Sequence, residues 1–201
     1  MKQALVVFGD HTASEIVSAA EEACSGSFEV IRKFLFNSQL EQDPEFQDFI
    51  ASFPRVNYIL GMIDSRLKPK ARDYAESKNF VPWSVIHPTA YVAPSATICA
   101  GTFIGPQAVV SVNAKIGSHC VIHIHSSIGH DCQIGEFCAV LPGARISGNV
   151  VIDEGVMIGS GAFVFQGVRV GSRAQIDALT YVRSDVEEKR LVSCRSKMDR
   201  G

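Results

Sequence analysis

The chain has 201 residues, 46% apolar and 20% charged, with a formal net charge of −2. This suits one large or two small packed domains, and it offers no basic surface for nucleic acid. The opening "MKQALVVFGD" is too short in apolar residues for a secretory signal, and no run approaches the roughly 20 residues of a membrane helix. A cytoplasmic protein that binds neither nucleic acid nor membrane is expected.

Residues 1–84 alternate strand and helix patterns. "ALVVF" reads as a buried strand and is followed by Gly9. "TASEIVSAAEEAC" has helical spacing through Ile16, Ala19, Ala20 and Ala23, with Thr12 or Ser14 as its expected cap. "FEVIRKFLF" and "VNYILGMI" are further strands. "EQDPEFQDF" between them reads as a solvated acidic surface. "SRLKPKARDYAESKN" reads as a helix with Pro69 in its first turn, and "FVPWSVI" leads out. The alternation predicts a small parallel sheet flanked by helices.

From residue 86 the pattern changes. Ile or Val recurs every six residues from Ile86 to Val182 without a gap, and four places after each stands a small or β-branched residue such as Ala114, Cys120, Ser126 or Cys132. No helix or flat sheet has this period. It predicts a solenoid of hexapeptides, three to a triangular coil, with residues 18 apart stacked in columns and successive coils about 4.8 Å apart. The unbroken phase leaves no inserted loop, so chemistry must sit on faces, at corners or between subunits. The expected domains are 1–84, 85–186 and a tail, 187–201. None of the six cysteines forms a CxxC pair, and reduced thiols are expected, with Cys132 and Cys138 buried in the repeat.

Five of the six histidines (His87, His119, His123, His125 and His130) lie in or at the edge of this solenoid. The run "HCVIHIHSSIGH" invites comparison with γ-class carbonic anhydrases, which resemble it in scaffold. The ligand spacing of that class fails here: Gly135 stands five residues after His130, and Pro94 stands two coils before it. No metal ligand is assigned, and a γ-carbonic-anhydrase-like metalloprotein is kept as the last-ranked reading. His123 and His125 are expected on one face of a strand. His130 is followed by Asp131, and its column runs from Val112 to Gly148, a glycine expected to leave a notch beside the imidazole.

The repeat resembles the hexapeptide-repeat acyltransferases. "VIHPTAYVAPSATI", "IGHDCQIGEF" and "PGARISGNV" resemble, more narrowly, the sialic-acid O-acetyltransferase-like family, which includes bacillosamine-type N-acetyltransferases of nucleotide-linked amino-sugars. The resemblance spans essentially the whole chain. It implies a Rossmann-like α/β domain joined to a left-handed parallel β-helix, with homotrimers that place active sites between prisms. It also implies acetyl-CoA as the acyl donor and a sugar or nucleotide-sugar acceptor.

The family's general base carries over to His130, its supporting carboxylate to Asp131, and a glycine lining the acetyl-CoA site to Gly148. Gly9 and Asp10 fall on the loop that approaches the sugar nucleotide; Asp10, being negative, suits a hydroxyl there better than a phosphate. His123 replaces an asparagine in a pair that precedes the base, and is expected at the substrate. Ala139 stands where the family often has a second histidine. A β-helix protein without catalysis is the alternative reading, motivated by Ala139, the reduced glycine loop and an altered C-terminal segment.

Overall fold

The computed structural model describes residues 2–194. The N-terminal unit comprises β1 (Gln3–Gly9), α1 (His11–Ala23), β2 (Val30–Phe34), α2 (Pro44–Ala51), β3 (Arg55–Gly61), α3 (Lys68–Ser77) and β4 (Val81–Pro82). Its four strands are parallel in the order β2-β1-β3-β4. β1 therefore has neighbours reached by connections in opposite directions, the topological switch point of a doubly wound sheet.

Strand alternation sorts the two faces. Ala4, Val6 and Phe8 point to one side, where Phe46 and Phe49 of α2 and Ala71 and Ala75 of α3 cover them. Leu5 and Val7 point to the other, against Ala13, Ile16 and Ala20 of α1.

Two local expectations are corrected. "EQDPEFQDF" is not merely solvated surface: the Asp43 side chain accepts from Glu45 N at 2.9 Å, Pro44 starts α2, and Phe46 and Phe49, three apart, fill the core. The start of α1 uses neither expected cap. Asp10 takes the capping place, without a side-chain hydrogen bond among the described residues, and Thr12 and Ser14 lie inside the helix.

The solenoid consists of two-residue strands whose second member is Ile or Val. They form three parallel sheets. The docking face stacks Val85–Ile86, Phe103–Ile104, Val121–Ile122, Ala139–Val140 and onward. The second face runs from Tyr91–Val92 to Tyr181–Val182, and the third from Thr97–Ile98 to Arg169–Val170. Partners are 18 residues apart, as in Ile116↔Ile134, and inter-coil bonds such as Gln133 N to Val150 O at 2.9 Å satisfy the backbone. Inside, the Ile/Val positions and the small column form one continuous core.

The corners repeat a conformation as well as a sequence. The residue three after each Ile or Val commonly has positive φ; examples are Asn113, His119, Asp131, Phe137 and Leu179, all between 57° and 59°. The ladder also continues beyond residue 186. Leu191–Val192 pairs with Gln175–Ile176, an offset of 191 − 175 = 16, so the last coil is two residues short.

The N-terminal unit docks through a third cluster. Leu5, Val7 and Ile59 of the sheet and the inner side of α1 meet Val85, Phe103 and Val121, stacked on the outside of the docking face. Its far edge is fixed by Lys68. This side chain is wholly buried, and Nζ donates to the carbonyls of His119 (3.2 Å), Phe137 (3.2 Å) and Cys138 (3.1 Å). Burial pulls its pKa down to about 8, so it remains largely protonated at neutral pH. Beside it the His119 ring is stacked between Tyr58 and Phe137, with centroids at 5.6 and 5.5 Å, and Arg72 lies over Phe137.

Replacing Lys68 by Met keeps the apolar stem but removes the donor shared by these carbonyls. The expected loss is about 2–4 kcal/mol of unfolding free energy, measured by urea denaturation at pH 7. An unchanged midpoint would mean that the ammonium does not hold the joint.

Candidate active site

His130 and Asp131 occupy a corner between the second and third faces. The strand Ser127–Ile128 precedes them and Gln133–Ile134 follows. The turn puts Asp131 at φ +58°, and its N–H donates to Val112 O at 3.0 Å. The corner does not itself demand an acid, since His119, Phe137 and Leu179 adopt the same backbone.

His130 Nδ1 lies 2.8 Å from Asp131 Oδ2, and Asn113 Nδ2 donates to the other carboxylate oxygen at 3.0 Å. The bond from His130, then that from Asn113, holds the Asp131 carboxyl below its ordinary pKa. The carboxylate is thus ionised at neutral pH and only accepts, so in the neutral imidazole it is Nδ1 that carries the proton and Nε2 that keeps a lone pair. Both side chains are about half exposed.

Gly148 lies one coil on. A Cβ there would overlap His130 Nε2 and Cε1. The expected notch is therefore occupied: the imidazole itself lies over the glycine, with its Nε2 edge against the Gly148 backbone. Glycine is what admits the ring in this pose.

The other expected site residues are elsewhere. His123 and His125 do not share a face; they lie around the corner between the docking and second faces, with His125 exposed. His123 is 3% exposed, covered by the docked unit. Its Nδ1 is 3.2 Å from Glu15 Oε2 of α1, without hydrogen-bond alignment, and its edge meets Phe103. Burial lowers its pKa and Glu15 partly opposes that. The position expected at the substrate is thus part of the interface between α1 and the solenoid. His87, two coils back in the same column, faces Glu22 of α1 at 3.2 Å.

Gly9 and Asp10 end β1 at the switch point. Gly9 has φ +147°, and a Cβ on it would strike Gly61 of the neighbouring strand. The glycine is required by this close backbone approach. Asp10 is exposed. Ala139 is buried on the docking face.

The histidine cluster of the sequence is thereby dispersed. His87, His123 and His125 are at one corner, His119 at the second and His130 at the third. Among the described residues no three His, Cys, Asp or Glu side chains are gathered to hold a metal ion. Cys120, Cys132 and Cys138 are buried free thiols, whereas Cys99 and Cys194 are exposed. No helix among the described residues is long and apolar enough to cross a membrane.

Sequence reasoning missed a cleft of about 570 Å³ between the β3–α3 loop and the last coils. It is lined by Asp64, Ser65, Arg66, Met157, Arg173 and Lys189 among others. The basic residues are 16 apart in the shortened coil, Arg173 and Lys189, and only the solenoid's pitch brings them together.

Residues 113–148 match the family of bacterial transferase hexapeptide (six repeats). No curated protein matches the chain. Among solved structures, the acetyltransferase domain of PglB from Neisseria gonorrhoeae FA1090, in complex with acetyl coenzyme A, is 23% identical with a TM-score of 0.82. The match covers 96% of this chain and 97% of that one. PerB from Caulobacter crescentus, in complex with CoA and GDP-perosamine, is 22% identical with a TM-score of 0.81, covering 94% and 93%. WeeI from Acinetobacter baumannii AYE is 22% identical with a TM-score of 0.85, covering 96% and 97%. The likeness establishes the fold expected from the sequence, an N-terminal α/β region followed by a left-handed parallel β-helix.

The hydrogen bonds at the corner make a spectroscopic prediction. At neutral pH, ¹⁵N shifts of His130 should report the Nδ1–H tautomer. The Asp131 carboxyl should titrate below the ordinary value of about 3.9, and His130→Ala should move that midpoint upward. Because the folded value is depressed, the contact's contribution is present above the unfolded pKa and is lost as pH falls through the folded one. An Nε2–H tautomer, or an ordinary Asp131 midpoint, would contradict the assigned geometry.

Proposed function

We propose that the chain is an acetyl-CoA-dependent acetyltransferase acting on an amino group, or a hydroxyl, of a nucleotide-linked sugar, with His130 as general base. The observation that carries this reading is the His130–Asp131 pair: an ionised carboxylate holds the Nδ1 proton and leaves a basic Nε2 at an open corner. The acetyl-CoA bound by the Neisseria domain and the CoA and GDP-perosamine bound by the Caulobacter enzyme support the choice of donor and acceptor.

The reaction needs little more. Nε2 takes a proton from the acceptor nitrogen as it attacks the thioester carbonyl. The tetrahedral adduct collapses, the C–S bond breaks, and the imidazolium returns its proton to the departing sulfur. Asp131 steadies the transient imidazolium. Positioning donor and acceptor together supplies much of the remaining acceleration. No enzyme thiol is acylated in this scheme, in keeping with Cys132, whose pKa is raised by burial.

Topology supports a site shared between copies. A chain's own N-terminal unit covers its docking face, while His130 is on the corner opposite that face. A nucleotide held at the β1 switch point, or with its phosphates against Arg66, Arg173 and Lys189 in the adjacent cleft, is thus carried away from its own His130. Exposed Tyr91 and Val109, adjacent on the second face, and Val112 in the His130 column give that side exposed apolar residues that suit contact with another copy. A homotrimer closes such contacts cyclically.

One observation favours a second reading, a β-helix protein without catalysis: the position of the family's second histidine is the buried Ala139. The two readings separate in one assay. With acetyl-CoA and a panel of nucleotide-linked amino-sugars, release of CoA thiol should depend on one acceptor, and His130→Ala should lower kcat by about 10²–10⁴-fold while calorimetric CoA binding persists. A His130→Ala variant as fast as the wild type would remove the base. Failure to bind any acyl-CoA would favour the non-catalytic reading.

A further inference from the structure

The proposed base is held by more than its neighbour in sequence. Asp131 uses its two oxygens separately: Oδ2 meets His130 Nδ1 at 2.8 Å, and Oδ1 receives Asn113 Nδ2 at 3.0 Å. Asn113 lies 131 − 113 = 18 residues earlier, directly below Asp131 in the coil stack, and both have φ of 58°. The Asn113 backbone N–H in turn donates to Ser95 Oγ, a further coil back, at 3.1 Å. Contacts thus run along the corner from Ser95 through Asn113 and Asp131 to His130.

Backbone preference does not account for the amide. Asparagine tolerates positive φ, but Phe137, Leu179 and Lys189 hold the equivalent conformation at other corners. Stability does not account for it either. Asn113 and Asp131 are both exposed, and a hydrogen bond open to water adds little to folding. What the amide does is restrict the carboxylate. Without it, Asp131 is free to rotate about its side-chain torsions and to turn Oδ2 away from Nδ1.

We propose that Asn113 is a positioning residue: its amide orients the Asp131 carboxylate, which fixes the His130 tautomer and leaves Nε2 as the free base. This rests on the reading of His130 as base, but its first readout requires no activity. Asn113 does not touch the reacting atoms in this arrangement and acts through Asp131.

The test uses Asn113→Ala and Asn113→Asp. The second keeps the shape but replaces the donor by an acceptor and places like charge against Asp131. Three quantities are measured in the full-length protein: the His130 tautomer from ¹⁵N shifts, the thermal midpoint, and kcat and KM for CoA release. Both variants are expected to mix the His130 tautomers, to keep the wild-type midpoint and KM for acetyl-CoA, and to lower kcat about tenfold, the change for roughly 1.4 kcal/mol. Asn113→Asp should be the more impaired of the two. A wild-type tautomer in both variants would overturn the proposal, even if kcat fell. An altered tautomer in a protein whose His130→Ala variant is fully active would uphold the positioning role while removing His130 as base.

Discussion

Everything in this molecule depends on a hydrogen-bond ladder of fixed pitch. One Ile or Val every six residues points inward, three such steps make a turn, and the strand backbone bonds to the coils above and below. Once this is set, side chains 18 residues apart become neighbours whatever their types. A face, a corner and a column are then the only places where polar chemistry fits, since the interior is filled by aliphatic residues and small thiols.

The three edges of the prism have been given different uses by what covers them. The docking face takes the N-terminal sheet through an apolar layer, and its two corners hold the flanking polar contacts. At one corner Glu15 and Glu22 of α1 meet His123 and His87. At the other, Lys68 reaches three carbonyls beside the stacked His119. The third corner is left to solvent, and there His130, Asp131 and Asn113 form a connected set over Gly148. The same residue type therefore has different chemistry at each corner. Burial pulls the His119 pKa down to about 4, whereas His130 is open and paired with an ionised acid.

The period of six made most of this readable from the sequence, because a repeat that never breaks phase has one structural solution. His130, Asp131 and Gly148 followed from column arithmetic and from a resemblance in motif. Asn113 obeys the same arithmetic, as it stands 18 residues before Asp131. The burial of His123 under α1 was not legible for a physical reason: the hexad specifies three equivalent corners, and only docking of α1 decides which is covered. Lys68 shows the same limit, since its acceptors are 51 to 70 residues away and nothing local marks it as buried. In α2, charge masked the Phe46 and Phe49 pair that anchors it. The shortened last coil, where Val186 follows Val182 by four residues, escaped because Glu187 to Arg190 read as tail.

The proposed reaction depends on the position of the acceptor relative to one nitrogen. A crystal structure with CoA and a nucleotide-linked amino-sugar measures this directly. The sugar amine is expected within about 3 Å of His130 Nε2 from one copy, with the nucleotide held by the N-terminal unit of another. An amine bound beyond hydrogen-bond reach of every His130, with the thioester group equally distant from that corner, would contradict it.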